Sequence, residues 1–589
     1  MTPQRFSRVF LFLAASLLAL TACSAPLPPV IVATQTQIAP PASNGETDAL
    51  PPAVEYNLGD ATIVQERFPE DSRFRNMPVR LNGLIGVPSR GDGPFPVVVI
   101  LHGTHPGCPL DDMGVDRWPC DPDVEQRNYS GFAYLVSALA DAGYVVLAPN
   151  INAENTFGFG EPVAGERLEQ LIGLHLLGLA EAAAGGDNRF GDDVRLAGRA
   201  DLSRLALIGH SRGGDASFAL ANDPDVLSGS LGYGPVDGVL QVAAAAASVD
   251  PWTSISAPLA TILAGCDGDV VDQVGQAYFE GPRLAPDQTA WAASVWLDRA
   301  NHNAFNTILP GDMAVQRDRP DCEPLLDGKA QRAWLVDYAT DFLTTLFADD
   351  PVAIGHAKER LGIDVTTAAP DALYGQPARV AFLAPAADRQ TVMIPADADE
   401  LQTNRLGGAV TADNLTSDFC PKGFYSAQTL PGSEPCRRNY VTVPGQPAHA
   451  VVSWQTPGAA LRFALPEGVG DLSAFSTVSL RAAVDPASPL NPAGQPQAIS
   501  VQITDSAGNS AAVHTRPDEP ALGFPPGLMQ DSSVTETGFF TGRVPLTTIR
   551  FPLSSFAGVD LSDIAEVALL FDQTSSGALF VSDIEWVRP

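Results

Sequence analysis

The pattern of apolar residues divides the chain into an alternating first part and a strand-rich second part. Between residues 56 and 350, short continuous apolar runs, typical of buried strands, alternate with longer runs of helical period. The predicted strands are Pro96–Leu101, Tyr144–Ala148, Leu205–Ile208, Val239–Ala247, Leu259–Leu263 and Trp291–Leu297, and the predicted helices are Tyr134–Ala142, Val163–Ala184 and Ala330–Phe347. Strands that alternate with helices favour a largely parallel sheet with helices on both faces. The first part is therefore predicted to be an α/β domain.

After residue 361 the helical period stops, and short apolar runs separated by Gly and Pro turns follow. The predicted strands are Arg379–Leu383, Val441–Val443, Val451–Trp454, Leu461–Ala464, Thr477–Arg481, Ser500–Ile503, Thr548–Pro552, Glu566–Phe571 and Ala578–Val581. Short strands at this spacing favour an all-β sandwich. We therefore expect an α/β domain at 56–350, a connecting segment at 351–385 and a β-sandwich at 386–589.

The N-terminus has the features of an export signal. Arg5 and Arg8 precede an apolar run, Val9–Leu20, that is too short to span a bilayer as a mature helix. The run ends in Leu-Thr-Ala-Cys23, which resembles a bacterial lipobox and implies a lipoprotein signal peptide at 1–23, with Cys23 lipidated. An ordinary secretory signal cleaved nearby is the alternative. Residues 24–55 are rich in Pro, Ala and Thr and are expected to be a flexible linker, so the protein is predicted to be anchored in the cell envelope, at the outer membrane or cell surface.

The composition and net charge indicate which kinds of partner this protein can bind. The 589 residues and 45% hydrophobic content suffice for two packed cores. Asp and Glu outnumber Lys and Arg by 68 to 35, which gives a net charge of −33. Such a surface repels nucleic acid and anionic membranes, so nucleic-acid binding is not expected.

The cysteines indicate disulfides. With Cys23 assigned to lipid, six of the seven remain, and an even number in an oxidising compartment is typical of disulfide bonds. Pairing nearest neighbours along the chain predicts Cys108–Cys120, Cys266–Cys322 and Cys420–Cys436. Their irregular spacing does not fit a zinc site.

The candidate nucleophile is Ser211. Leu205–Ile208 is followed at once by Gly-His-Ser211-Arg-Gly and then by a helical run, which is G-x-S-x-G between a strand and a helix. A serine on such a strained turn requires glycine two positions before and after it, because a Cβ there would collide. The turn also directs the backbone N–H of Arg212 toward a developing oxyanion.

With this turn, the first part resembles the α/β-hydrolase superfamily, and in particular exported esterases that are similar to dienelactone hydrolases and polyester hydrolases. The resemblance rests on four features in order: His102-Gly103 after a buried strand, GHSRGG at 209–214, the loop Gly265–Val270 and the loop Ala300–Asn306. It implies that Thr104 donates the second oxyanion hydrogen bond. It also implies that His302 is the general base.

The acid of the triad stays open between two residues. Asp267 matches the D-x-x-V spacing of the superfamily, whereas Asp269 lies at the usual distance from the loop glycine. Among the other histidines, His102 is expected to be structural and His210 to pack beneath the nucleophile, while it is left open whether His105 lines the pocket.

The last 140 residues resemble jelly-roll, galactose-binding-like modules, on the runs Phe551–Leu553, Val559–Ile564 and Val581–Trp586. This resemblance implies a glycan or polymer surface as partner, and a structural domain that binds no ligand is the alternative. The whole chain is thus expected to be a serine esterase that cleaves carboxylic esters through an acyl-enzyme, with no cofactor and no metal ion. A peptidase on the same scaffold and a non-catalytic envelope adhesin are the alternatives.

Overall fold

The computed structural model describes residues 51–157, 164–223, 227, 231–247, 249–312, 322–423, 436, 445–485, 488–492, 494–524 and 545–589. The strands of the first domain are β1 (Val54–Val64), β2 (Asn76–Gly86), β3 (Phe95–Leu101), β4 (Val145–Pro149), β5 (Ala200–His210), β6 (Val236–Val242), β7 (Leu259–Ala264), β8 (Ala292–Leu297), β9 (Ala372–Leu373) and β10 (Gln376–Leu383). The helices are α1 (Ala133–Asp141), α2 (Ala153–Phe157), α3 (Ala164–Ala183), α4 (Arg212–Asn222), α5 (Gln276–Glu280), α6 (Gly328–Phe347) and α7 (Pro351–Arg360).

These strands form one ten-stranded sheet in the order β1-β2-β4-β3-β5-β6-β7-β8-β10-β9. Strands β3 to β8 run parallel, whereas β1, β2, β9 and β10 add antiparallel edges. Alternate residues of β3 enter two different apolar cores, Val98 and Ile100 on one face and Val97 and Val99 on the other. Because both faces are covered, the central strands are continuously apolar. The predicted α/β class is confirmed.

Two boundaries of the first domain differ from the prediction. The connecting segment expected at 351–385 instead contains α7 and strand β10, and β10 pairs with β8 from Ala378 to Leu383. An apolar run does not show which sheet it joins, so grouping the strand Arg379–Leu383 with the strands of the sandwich was wrong, although this strand lies before the predicted sandwich boundary at 386. The expected linker at 24–55 likewise ends before Val54, where β1 begins.

The second domain is a β-sandwich, as predicted. Its strands are β11 (Arg389–Met393), β12 (Val410–Asp413), β13 (Leu415–Cys420), β14 (His449–Trp454), β15 (Ala459–Ala464), β16 (Thr477–Val484), β17 (Ser500–Asp505), β18 (Ser510–His514), β19 (Thr547–Pro552), β20 (Ile564–Phe571) and β21 (Gly577–Val587). A six-stranded sheet follows the order β13-β14-β21-β16-β19, with β11 also paired to β21, and a five-stranded sheet follows β12-β15-β20-β17-β18. One apolar core lies between them and contains Trp454, Phe571 and Trp586.

A buried chain of charges joins the two domains, which lie within one compact unit from residue 50 to 589. Arg481 on β16 donates to Glu280 of α5 at 2.9 Å and to Asp583 on β21 at 2.7 Å. Asp583 also accepts from Arg283 at 2.5 Å. All four side chains are buried. Because a buried charge is tolerated only when it is paired, this network of four buried charges fixes the sandwich against the first domain.

Within the described ranges, no helix combines the length and apolar character needed to cross a membrane. The predicted signal peptide, Cys23, the linker up to residue 50 and the predicted strand Val441–Val443 lie outside those ranges.

Candidate active site

Ser211 lies on a sharp turn between β5 and α4. Its backbone has φ 56° and ψ −124°, a conformation that L residues rarely adopt, and the residue is 5% exposed. A Cβ on Gly209 would lie 2.1 Å from the carbonyl oxygen of Gly213, and one on Gly213 would lie 2.2 Å from that of Leu101. Neither position can hold a side chain. The glycines of the motif are therefore required by the close packing of this turn, as the sequence predicts.

His302 and Asp267 are in direct contact. The Nδ1 atom of His302 lies 2.9 Å from Oδ2 of Asp267, and both side chains are fully buried. The other carboxylate oxygen of Asp267 accepts the backbone N–H groups of Asp269 at 2.9 Å and Val270 at 2.7 Å. The acid loop thus orients this carboxylate toward the imidazole.

Asp269 lies on the opposite side of the imidazole ring. Its Oδ2 atom is 3.7 Å from Nε2 of His302, and its side chain is 53% exposed. The geometry thus brings both candidate acids to His302 but places only Asp267 on Nδ1, where a triad acid belongs. The catalytic role of either residue stays a prediction.

The charge of His302 is set by these carboxylates. Burial disfavours the imidazolium, but Asp267, Asp269 and Asp312 outweigh burial and raise the pKa of His302 above the ordinary 6.5. Nε2 of His302 is buried and has no hydrogen-bond partner among the described residues, so it is not bonded to Ser211 in this structure. Catalytic hydrogen bonds often tighten only when substrate binds.

His210 connects the nucleophile turn to the histidine loop. Its ring lies 4.7 Å from the ring of His302, centre to centre, and its Nε2 donates to the backbone carbonyl of His302 at 3.0 Å. Burial and the neighbouring histidines hold the pKa of His210 well below 6.5, so the ring is neutral. This residue, which immediately precedes Ser211, therefore places the two loops side by side.

The loop that follows β3 passes over Ser211. A Cβ on Gly103 would lie 3.2 Å from the Ser211 hydroxyl oxygen. His102 accepts the N–H of Ile151 on Nε2 at 2.9 Å and donates from Nδ1 to the Gly103 carbonyl at 2.7 Å. Burial lowers the pKa of His102 to about 4, so this neutral ring braces the loop.

Each predicted oxyanion donor is the next residue in the chain after one member of this contact. Thr104 follows Gly103 in the loop, and Arg212 is the first residue of α4. The first N–H groups of a helix point out of its N-terminus, where they attract negative charge. Both roles stay predictions. His105 stacks against His210 at 6.3 Å, and burial together with His302 and His102 lowers its pKa to about 3.

Sequence reasoning missed the group that holds the histidine loop. Gln331 on α6 is fully buried; its Nε2 donates to the Asn301 carbonyl at 2.7 Å and its Oε1 accepts the Asn301 N–H at 3.0 Å. This two-bond clamp fixes the backbone of the residue before His302. Thirty residues separate the partners, and no motif links them, so nothing in the sequence marks the contact.

The structure forms the three disulfides that the sequence predicts, Cys108–Cys120, Cys266–Cys322 and Cys420–Cys436. The second ties the residue before Asp267 to the segment before α6. It therefore restrains the acid loop next to Asp267.

No protein-family model matches this chain, and no curated protein matches it. Solved structures with a similar fold include a ferulic acid esterase from Streptomyces cinnamoneus, at 14% identity over 52% of this chain and 93% of that one, with a TM-score of 0.32. A thermophilic esterase from Thermogutta terrifontis follows at 12% identity over 50% and 97%, with a TM-score of 0.30. A family 11 carbohydrate-binding module of a Clostridium thermocellum cellulase matches 34% of this chain and 95% of its own, at 12% identity and a TM-score of 0.20.

The order and direction of the strands, with a serine turn after β5, settle the architecture. The first domain has the α/β-hydrolase fold. The second is a jelly-roll-like sandwich. Activity and substrate are not carried over from neighbours at this identity, and they are inferred from the side chains of this chain.

Proposed function

We propose that this protein is a serine hydrolase that cleaves carboxylic esters through an acyl-enzyme intermediate. The single observation that supports this most is the contact of Asp267 with Nδ1 of His302, both buried, beside a serine on a strained turn. A buried carboxylate fixes the tautomer of the imidazole so that Nε2 accepts a proton. A serine hydroxyl is a poor nucleophile until such a base removes its proton.

The proposed reaction has two symmetrical halves. Ser211 attacks the ester carbonyl carbon while its proton passes to Nε2 of His302, and the resulting oxyanion accepts hydrogen bonds from the backbone of Thr104 and Arg212. The carbon–oxygen bond to the alcohol breaks, and His302 returns the proton to the leaving alkoxide. Water then attacks the acyl-enzyme with the same base, which releases the carboxylic acid and restores the serine. Asp267 stabilises the imidazolium in both halves.

The test compares ester with amide cleavage by the full chain. We expect hydrolysis of p-nitrophenyl acetate and butyrate, with little release of p-nitroaniline from aminoacyl anilides, and loss of ester cleavage in Ser211→Ala. Cleavage of the anilides in preference to the esters would favour a peptidase. Equal rates for the wild type and Ser211→Ala would contradict the proposal and leave the adhesin alternative.

A glycan-binding role for the second domain stays a prediction from the sequence. The outer face of its five-stranded sheet presents polar and small side chains such as Arg462, Gln502 and Glu566. Across these fully described strands, that face bears no Trp, Tyr or Phe, the residues whose flat rings stack on ligands. Specific support for sugar binding is therefore absent from this face.

We further propose that the mature chain is exported and anchored through a lipid on Cys23, on the strength of the lipobox-like sequence alone. A lipidated protein partitions into the detergent phase of Triton X-114, whereas Cys23→Ser should move to the aqueous phase. An unmodified N-terminal peptide by mass spectrometry would instead indicate an ordinary secretory signal.

A further inference from the structure

A cleft of about 670 Å³ lies where the two domains meet, and its lining includes none of the candidate active-site residues. The first domain contributes Trp252 and Leu284, and the second contributes Phe419, Pro421 and Lys422. Leu284 is 50% exposed, so its apolar side chain is accessible from the cleft. The walls are thus mainly apolar and partly open to solvent.

Two charged residues at this cleft are already paired. Glu280 accepts from Arg481 at 2.9 Å and from Gln276 at 2.7 Å. Arg283 donates to Asp583 at 2.5 Å and to the Ala448 carbonyl at 3.0 Å. Because these groups satisfy each other, they offer little to the hydroxyls of a polar ligand.

Lys422 is different. Lys422 is exposed, and its ammonium lies 4.1 Å from the centre of the Trp252 ring. This cation–π contact holds the ammonium at the wall of the cleft. Among the described residues, Lys422 has no ion pair with a carboxylate. In a chain with a net charge of −33, an ammonium on an apolar wall gives a local positive site in a field that elsewhere repels anions.

We propose that this cleft binds an apolar monocarboxylate, an aryl- or alkylcarboxylic acid. Its apolar body would contact Leu284 and Phe419, and its carboxylate would accept hydrogen bonds from the ammonium of Lys422. A neutral sugar fits less well, since Lys422 covers a face of Trp252 and the buried charges are already paired. The idea that this acid is also a product of ester hydrolysis rests on the proposed function. The proposed binding does not rest on it.

The experiment uses the full chain with Ser211→Ala, so that binding is measured without turnover and a failure of the catalytic proposal leaves it unaffected. Calorimetric titration with trans-cinnamate is compared with the uncharged trans-cinnamamide. We expect cinnamate to bind more tightly than the amide, and Lys422→Gln to weaken cinnamate by about tenfold or more, the usual worth of a charged hydrogen bond. Lys358→Gln, which removes an exposed lysine on α7, is the matched control and should change neither ligand.

Lysine labelling locates the bound acid independently. The chain has only three lysines, Lys329, Lys358 and Lys422, so reductive methylation followed by peptide mass spectrometry resolves each of them. We expect cinnamate to slow the methylation of Lys422 alone. Equal affinity in Lys422→Gln, equal protection of all three lysines, or no cinnamate binding would overturn the proposal. Protection of Lys422 by cellotetraose but not by cinnamate would also overturn it, because the cleft would then be a glycan site.

Discussion

Replacing each candidate acid by its amide separates their roles. In Asp267→Asn, the amide oxygen can keep the two backbone hydrogen bonds from Asp269 and Val270. The NH₂ group then faces Nδ1 of His302, where the carboxylate oxygen now lies at 2.9 Å. Two donors cannot pair, so the ring is expected to adopt the tautomer that leaves Nε2 protonated and unable to act as a base. We expect kcat to fall by about 10⁴-fold, or about 5 kcal/mol of transition-state stabilisation.

The effect of Asp269→Asn should be far smaller. Its carboxylate is 3.7 Å from Nε2 of His302 and 53% exposed. Coulomb attraction at that separation amounts to about 1 kcal/mol when the effective dielectric is close to that of water. The expected loss in kcat is therefore at most about fivefold.

Steady-state hydrolysis of p-nitrophenyl acetate measures both variants, with Ser211→Ala as the background rate. Thermal unfolding of each variant controls for misfolding, and both are expected to remain folded because neither change removes a buried backbone partner. A loss of 10³-fold or more in Asp269→Asn, with Asp267→Asn retaining near wild-type activity, would refute the assignment of Asp267 to the triad.

Three further predictions concern pH, the histidine loop and the domain junction. Because the carboxylates raise the pKa of His302 and catalysis needs its neutral form, kcat/KM should fall as the pH drops through a midpoint above 6.5. Asp269→Asn should move that midpoint to lower pH. A pH–rate profile whose midpoint does not move in this variant would contradict the reasoning. Gln331→Met should lower both kcat and Tm, because the buried backbone N–H and carbonyl of Asn301 lose their hydrogen-bond partners, at a cost of about 1–3 kcal/mol each. An unchanged kcat would show that the clamp is not needed for activity. Arg481→Met removes the only cation among the described residues that is paired with the buried Glu280, whereas Asp583 keeps Arg283, and it should cost about 3–5 kcal/mol in urea unfolding. Arg462→Met on the surface should cost about 1 kcal/mol or less, and equal losses would refute the role of the junction.

The central strands and the serine turn could be predicted from the sequence because their signals are local. A continuous apolar run marks a strand covered on both faces. The serine turn is marked by the five-residue G-x-S-x-G motif, although the contact that requires Gly213 is with Leu101 of β3. Strands β1 and β2 escaped prediction. In β1, exposed and buried residues are mixed over eleven positions and give no regular strand pattern. Its partner β2 becomes evident only from the antiparallel pairing of the two strands.

The contacts that could not be predicted are those between distant segments. The spacing of Asp267 and Asp269 does not reveal which side chain turns toward Nδ1, since that depends on the backbone bonds of the loop. The clamp by Gln331 and the junction through Arg481 join residues that lie 30 and 201 positions apart. Strand β10 was assigned to the wrong sheet for the same reason, because its partner β8 is not adjacent in the chain.

The most direct test of the proposed activity is covalent labelling of the full chain with a fluorophosphonate, followed by peptide mass spectrometry. A serine activated by a neighbouring base attacks the phosphorus, whereas an ordinary serine does not. We predict one adduct per chain, located on Ser211, absent from Ser211→Ala and formed much more slowly in His302→Ala. Absence of an adduct on Ser211 in the wild type, or equally fast labelling in His302→Ala, would contradict the account.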